Sequence, residues 1–131
     1  MSELTTQTTN PIYANKMWNQ TGVILEKGKM YQISTVSVLE PLRDANWESK
    51  SIVGQDWQGF WHKHFTKFKR RKNENWFALI GTIDKKHPWA LKCQTKFIAP
   101  ESGMLICYFN DVPIMYWNNS GTVILNIQES C

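Results

Sequence analysis

The chain has few of the residues that build catalytic or zinc-binding sites. It contains three Cys and three His in 131 residues, and the Cys residues lack metal-ligand spacing. Glycine-rich phosphate loops are absent, and the carboxylates of Asp44, Glu48 and Asp56 are too scattered to predict a paired acid–base site. His87 and Cys93 are a conceivable base and nucleophile, but the apolar run around Cys93 disfavours a thiolate. We therefore expect a binding protein and no enzyme.

Long apolar runs and targeting signals are also missing. No stretch approaches the 18 apolar residues of a membrane-spanning helix. Residues 1–10 are polar and Thr-rich, without the charged start and apolar block of a signal peptide, and we expect them to form a loose tail. These features, and the odd number of Cys, favour a cytoplasmic protein that is released, if at all, without a signal peptide. The net charge of +4 is mild, so we expect no nucleic-acid partner.

Strand signals dominate what is present. Alternating or fully apolar runs rich in β-branched and aromatic residues predict strands, and Gly-containing clusters at 26–29 and 100–103 predict turns between them. The predicted strands cover residues 21–25, 30–38, 76–81, 96–99, 104–109 and 121–127. Their spacing predicts an all-β fold, a two-sheet antiparallel β-sandwich of jelly-roll or Greek-key type, as a single domain over residues 11–131.

The middle of the chain, residues 39–75, is weakly patterned. Trp57, Trp61, Phe65 and Phe68 recur at helical spacing, whereas residues 64–71 also alternate as a strand would. Periodicity does not decide between the two over so short a stretch. A connection of this length inside a sandwich is unusual and is often functional.

Six basic residues and no acid lie between Lys63 and Lys72, interleaved with aromatic side chains. We call residues 61–72 the basic segment. It has three interpretations: a solvated loop whose aromatics pin it to the sandwich, a surface for acidic glycans, membranes or other polyanions, or a single-strand nucleic-acid binder. A non-catalytic interaction module that works through this segment is therefore an alternative function.

The most informative stretch is residues 110–121, NDVPIMYWNNSG, between the last two strand signals. It supplies one carboxylate and several amide oxygens, which are ligands that Ca²⁺ accepts, and no thiol or paired imidazole. Asn, Asp and Ser also cluster in ordinary turns, because they hydrogen-bond their own backbone. Composition alone leaves both interpretations open.

This stretch resembles the loop that binds calcium and sugar in the PA-IL (LecA-type) bacterial galactose-binding lectins. The family pattern is matched by NDVP at 110–113, NNSG at 118–121 and LNI at 125–127. The resemblance extends more generally over about residues 18–130, weakly in the middle. It implies a calcium-dependent lectin for galactosides or related glycans, assembled as a homo-oligomer.

The resemblance also implies site residues. The side chains of Asp111, Asn118 and Asn119 would bind Ca²⁺ with the Met115 carbonyl, and two sugar hydroxyls would complete the shell. The family's further carbonyl ligand falls near Pro41, although its tyrosine is missing there; Glu40 and Asp44 offer acids close by. The sugar would also contact Val112.

Specificity is less well matched. The family places a His and a Gln on a preceding loop, where they contact the sugar's primary hydroxyl. That loop is longer in this chain, and we assign His64 and Gln58 to these roles, with His62 and Gln55 as alternatives. Trp117 either stacks on the apolar face of a sugar or packs under the loop.

Overall fold

Strands account for most of the structure, a computed structural model that describes residues 7–45, 47–49, 52–57, 59–92 and 94–130. The strands are β1 (Gln7–Tyr13), β2 (Asn19–Leu25), β3 (Met30–Asp44), β4 (Trp47–Ser49), β5 (Leu79–Ile83), β6 (Lys86–Ala90), β7 (Gln94–Ile98), β8 (Gly103–Phe109) and β9 (Asn119–Ser130). One short α-helix, α1 (Phe60–Phe65), and two 3₁₀ helices, Thr66–Phe68 and Pro113–Asn118, complete the described elements.

The strands form two antiparallel sheets. The first has the order β1-β9-β3-β4, with β7 also paired to β3, and the second has the order β2-β8-β5-β6. The core lies between them and takes buried side chains from both, such as Ile33 and Leu125 from the first and Leu79 and Leu105 from the second. The predicted all-β sandwich is confirmed.

The central strands of the second sheet are buried on both faces, as their uninterrupted apolar sequences require. On the outer face, Ile80 and Tyr108 pack with Ala78, Trp18 and Ala90 in a second apolar cluster.

In the middle of the chain the helical interpretation is the correct one, because α1 and the following 3₁₀ helix cover residues 60–68. The alternative strand over residues 64–71 is wrong.

The chain enters the sandwich earlier than predicted. The loose tail was expected to reach residue 10, but β1 begins at Gln7 and pairs with β9 in the register Asn10↔Leu125. The Thr-rich sequence is compatible with this edge position, since β-branched residues favour strands. Among the described residues, no helix is long and apolar enough to cross a bilayer.

Candidate functional site

Three pieces of backbone meet at one end of the sandwich. β3 ends at Asp44, and β9 begins at Asn119, directly opposite Asp44 in the antiparallel register. The backbone N–H of Ala45 donates to the Asn118 carbonyl at 3.0 Å, which closes this corner. Asp111 follows the end of β8, so the loop 110–119 is held between two strand ends of different sheets.

Asn110 anchors that loop with a fully satisfied side chain. Its Oδ1 accepts the backbone N–H of Arg71 at 2.9 Å, and its Nδ2 lies within 3.2 Å of the carbonyls of Arg71, Glu74 and Asn75. The residue is completely buried. Asn110 therefore ties the segment after the 3₁₀ helix Thr66–Phe68 to the end of β8.

Asp111 is also completely buried, but its carboxylate is only half satisfied. Oδ1 accepts the Val112 N–H at 2.6 Å, and the Asp111 carbonyl accepts the Arg70 N–H at 3.0 Å. Oδ2 has no hydrogen-bond partner. Burial, and next the charge of Asp44, raises the pKa of Asp111 to about 6, although the nearby Asn119 side-chain amide and the hydrogen bond from the Val112 N–H oppose the rise.

Further unpartnered oxygens stand on the two asparagines that follow the 3₁₀ helix Pro113–Asn118. The Oδ1 atoms of Asn118 and Asn119 are buried without a partner, while the Asn119 Nδ2 donates to the Ala14 carbonyl at 3.2 Å. Seven buried side-chain polar atoms lack partners in the described part of the chain, and four of them belong to Asp111, Asn118, Asn119 and His62. Because such atoms are costly and rare, their concentration here indicates a ligand site.

His62 lies beside these residues in an aromatic cage. Its Nε2 is 2.7 Å from Asp44 Oδ2, and both side chains are buried. The rings of Trp47, Trp57 and Trp76 surround the imidazole at centroid distances of 4.9, 4.8 and 4.7 Å. The carboxylate and the cage fix the ring orientation and leave Nδ1 without a partner.

A cavity of about 260 Å³ opens at this corner. Asp44, His62 and Asn118 are the polar residues of its wall, and apolar side chains supply most of the rest. The full lining is Asp44, Ala45, Trp47, His62, Met115, Trp117 and Asn118. A pocket with a few polar groups set among aromatic side chains is the usual form of a small-ligand site.

Four of the predicted site residues lie on one loop of the structure. Asp111, Met115, Asn118 and Asn119 all belong to the loop 110–119 and its junction with β9. Val112, predicted as a sugar contact, packs its side chain in the hydrophobic core.

The Pro41 carbonyl lies beside Gly121, two residues beyond Asn119. A Cβ placed on Gly121 would lie 2.5 Å from the Pro41 carbonyl oxygen, so that carbonyl faces Gly121 across the β3–β9 pair. Pro41 also precedes Asp44 by three residues, or about 10 Å of extended strand. Asp44 is the β3 residue that stands next to Asn119. Asp44 is therefore a second candidate for the ligand predicted from this strand, beside Pro41.

The histidine assignment changes for a similar reason. His64 is exposed, whereas His62 is buried and lines the cavity. Residues two apart on a helix point in nearly opposite directions, so only one of the two can face the sandwich. Gln58 lies outside the described residues, and the backbone of Gln55 pairs with Trp76.

The basic segment supports this end of the fold. The guanidinium carbon of Arg70 is 3.3 Å from the Tyr108 ring centroid and 4.3 Å from that of Trp18. Lys69 is buried, and its Nζ donates to the Glu74 carbonyl at 2.8 Å. Two of the six basic residues thus make contacts inside the fold.

Trp47 and Asp44 are among the cavity residues that were not assigned to the site from the sequence. Trp47 was not considered, because nothing in the weakly patterned middle marks it, and Asp44 was noted only as a nearby acid. Both depend on the length of β3, which runs six residues beyond its predicted end at residue 38 and carries three irregularities in its pairing with β9. Bulges of this kind are not visible in hydrophobic periodicity.

The donor atoms suit a hard cation. Asp111 Oδ2 and the Oδ1 atoms of Asn118 and Asn119 are the carboxylate and amide oxygens that Ca²⁺ prefers. Within the described ranges, no three His, Cys, Asp or Glu side chains cluster as a metal site. A cation here would therefore depend on amide and carbonyl oxygens as much as on carboxylates.

Comparison with known proteins identifies the fold and no more. No protein-family model matches the chain, and no curated protein matches it. A solved structure described as the N-terminal domain of EclA, a PllA-like lectin, superposes with a TM-score of 0.70 at 14% identity, over 93% of this chain and 95% of that one. The chain thus has the fold of a lectin domain.

Proposed function

We propose that this protein is a calcium-dependent lectin, a non-catalytic carbohydrate-binding protein. The observation that carries the proposal is the group of buried, unpartnered oxygens on Asp111, Asn118 and Asn119 beside an open cavity. The lectin fold of the neighbouring structure supports it. So does the match of the loop 110–121 to the pattern of the galactose-binding family.

In this proposal Asp111, Asn118 and Asn119 hold Ca²⁺ through side-chain oxygens, and Met115 contributes its carbonyl. Asp44 stands where a further oxygen from the end of β3 is needed, and it adds a second negative charge. The bound cation would offer its remaining coordination positions to two vicinal hydroxyls of a sugar. Burial raises the pKa of Asp111 because it destabilises the ionised carboxylate, and a bound cation would offset that destabilisation.

His62 is the residue we assign to the sugar's further hydroxyl, in place of His64. It is buried, fixed by Asp44 and the Trp cage, and lines the cavity, and its Nδ1 has no hydrogen-bond partner among the described residues, so we assign this nitrogen to a ligand hydroxyl. A galactoside is the sugar we propose, by the family resemblance. Association into homo-oligomers would strengthen binding through multivalency, since single sites of this type are weak.

A glycan array in millimolar calcium and in excess chelator tests the proposal. We expect signals for galactose-terminated glycans that disappear with chelator and with Asp111→Ala. Asn126→Ala is the matched control, because its Oδ1 is also buried and unpartnered but lies along β9, away from the loop. Binding that survives chelation would contradict the proposal, and if that binding also collapsed with added salt it would point to the basic segment.

A further inference from the structure

Trp117 is the most exposed large hydrophobic side chain among the described residues, at 77% exposure. It lies in the 3₁₀ helix Pro113–Asn118, immediately before two of the proposed calcium ligands, and it lines the cavity. The sequence left open whether it packs under the loop, and the structure excludes that. Since most of its surface faces outward, a ligand confined to the cavity would leave most of the ring uncovered.

Trp47 forms a second aromatic wall of the same cavity and is 41% exposed. Contacts with Gly59 and His62 fix the position of its ring. A Cβ added to Gly59 would lie 2.3 Å from a ring carbon of Trp47, and the ring also contacts His62 edge-on. This wall is preorganised, so a ligand that covers it does not have to order a mobile side chain.

We propose that Trp117 and Trp47 form a second subsite, which binds the apolar C–H face of the saccharide unit next to the calcium-bound sugar. This inference rests on the proposed function, because Asn118, a proposed calcium ligand, lines the same cavity as the two Trp side chains. The protein would then recognise at least a disaccharide, and the linkage between the units would contribute to specificity.

The chemistry of the walls favours a pyranose over a charged group. Aromatic rings offer a large apolar surface at low conformational cost, which suits the C–H face of a sugar ring. Asp44 is the one acidic side chain among the described residues of the cavity lining, and it is buried against His62. An anionic substituent would gain no cationic partner from the cavity lining. An aromatic aglycone offers a similar apolar face, so the test includes one.

Calorimetric titrations at saturating calcium test the subsite. The ligands are methyl α- and β-galactoside, a panel of galactose-terminated disaccharides in both anomeric series, and the p-nitrophenyl galactosides. We expect at least one disaccharide to bind about fivefold more tightly than the methyl galactoside of the same anomer. Trp117→Ala should lower the affinity for the disaccharide more than the affinity for the methyl galactoside, so that the gain disappears, and Trp117→Phe should keep part of the gain.

Each other result has a defined meaning. Disaccharides within twofold of the methyl galactosides, or a gain that survives Trp117→Ala, would overturn the subsite and leave the proposed function intact. A gain confined to the p-nitrophenyl galactosides would contradict its assignment to a saccharide. If no galactoside bound at all, the proposed function would fail and the subsite with it.

Discussion

Asn110 and the pair Asn118–Asn119 lie at the two ends of one loop and have the same side-chain chemistry, yet their environments are opposite. Both polar atoms of the Asn110 amide are hydrogen-bonded, whereas the Oδ1 atoms of the pair are buried without partners. The Asn110 side chain bonds the backbone of residues 71–75, whereas Asn118 lines the cavity and Asn119 follows it at the start of β9. The difference indicates that one amide builds the loop and the others are kept for a ligand.

The largest effect should come from Asn110→Ala. Removing this side chain would leave the Arg71 N–H and several carbonyls buried without partners, so we expect about 3 kcal/mol of destabilisation. Chemical denaturation in chelator measures it. Asn118→Ala is the matched control, and its loss should be below about 1 kcal/mol, because its Oδ1 makes no hydrogen bond. Equal losses for the two variants would remove the contrast between the ends of the loop.

Asp111→Asn should stabilise the metal-free protein while abolishing calcium binding. The folded-state pKa of Asp111 is raised from 3.8 to about 6, chiefly by burial, so its ionised form opposes folding. That rise corresponds to roughly 2–3 kcal/mol at pH 7. Denaturation of wild type and variant in chelator, repeated across pH, measures the gain.

The sign of the pH dependence follows from that rise. Below about pH 4 the carboxyl is protonated in both states, so the variant should gain nothing there. Stability of the wild type should fall as the pH rises from about 4 to about 6, and the advantage of Asp111→Asn should reach its full size above that range. An advantage that is constant with pH would show that ionisation of Asp111 is not its source.

Arg70→Ala tests the support behind the loop. The guanidinium stacks on Tyr108 and Trp18 and donates to the Met17 carbonyl at 2.6 Å. We expect a loss of about 1–2 kcal/mol of stability and weaker calcium binding, since the Arg70 backbone also holds Asp111. Arg70→Lys should recover only part of the stability, because an ammonium does not stack as a planar guanidinium does. Full recovery would show that charge alone matters.

The smallest effect should come from His64→Ala. His64 is exposed on the far side of α1 from the cavity, so stability should change by less than about 0.5 kcal/mol and galactoside affinity should not change. His62→Ala, by contrast, should lower the affinity for galactosides, because His62 lines the cavity. A loss of affinity for His64→Ala with none for His62→Ala would restore the original assignment.

The sandwich was predictable from the sequence because its strands carry periodic or uninterrupted apolar runs, such as residues 104–109. The loop 110–121 was found through a resemblance, since turn-forming side chains and ligand side chains are the same residue types. Trp47 could not be assigned to the site in the same way, and His62 could be named only as an alternative to His64. Their positions depend on the irregular end of β3 and on which face of α1 is buried, and neither leaves a periodic signal.

Calorimetric titration of the metal-free protein with calcium, in the absence of sugar, tests the central claim most directly. We predict one binding site per chain for the wild type and for Asn126→Ala, and a large loss of affinity for Asn119→Ala, although each variant removes one buried, unpartnered amide oxygen. No calcium binding by the wild type, or equal binding by the two variants, would contradict the claim that the unpartnered oxygens of this loop form a cation site.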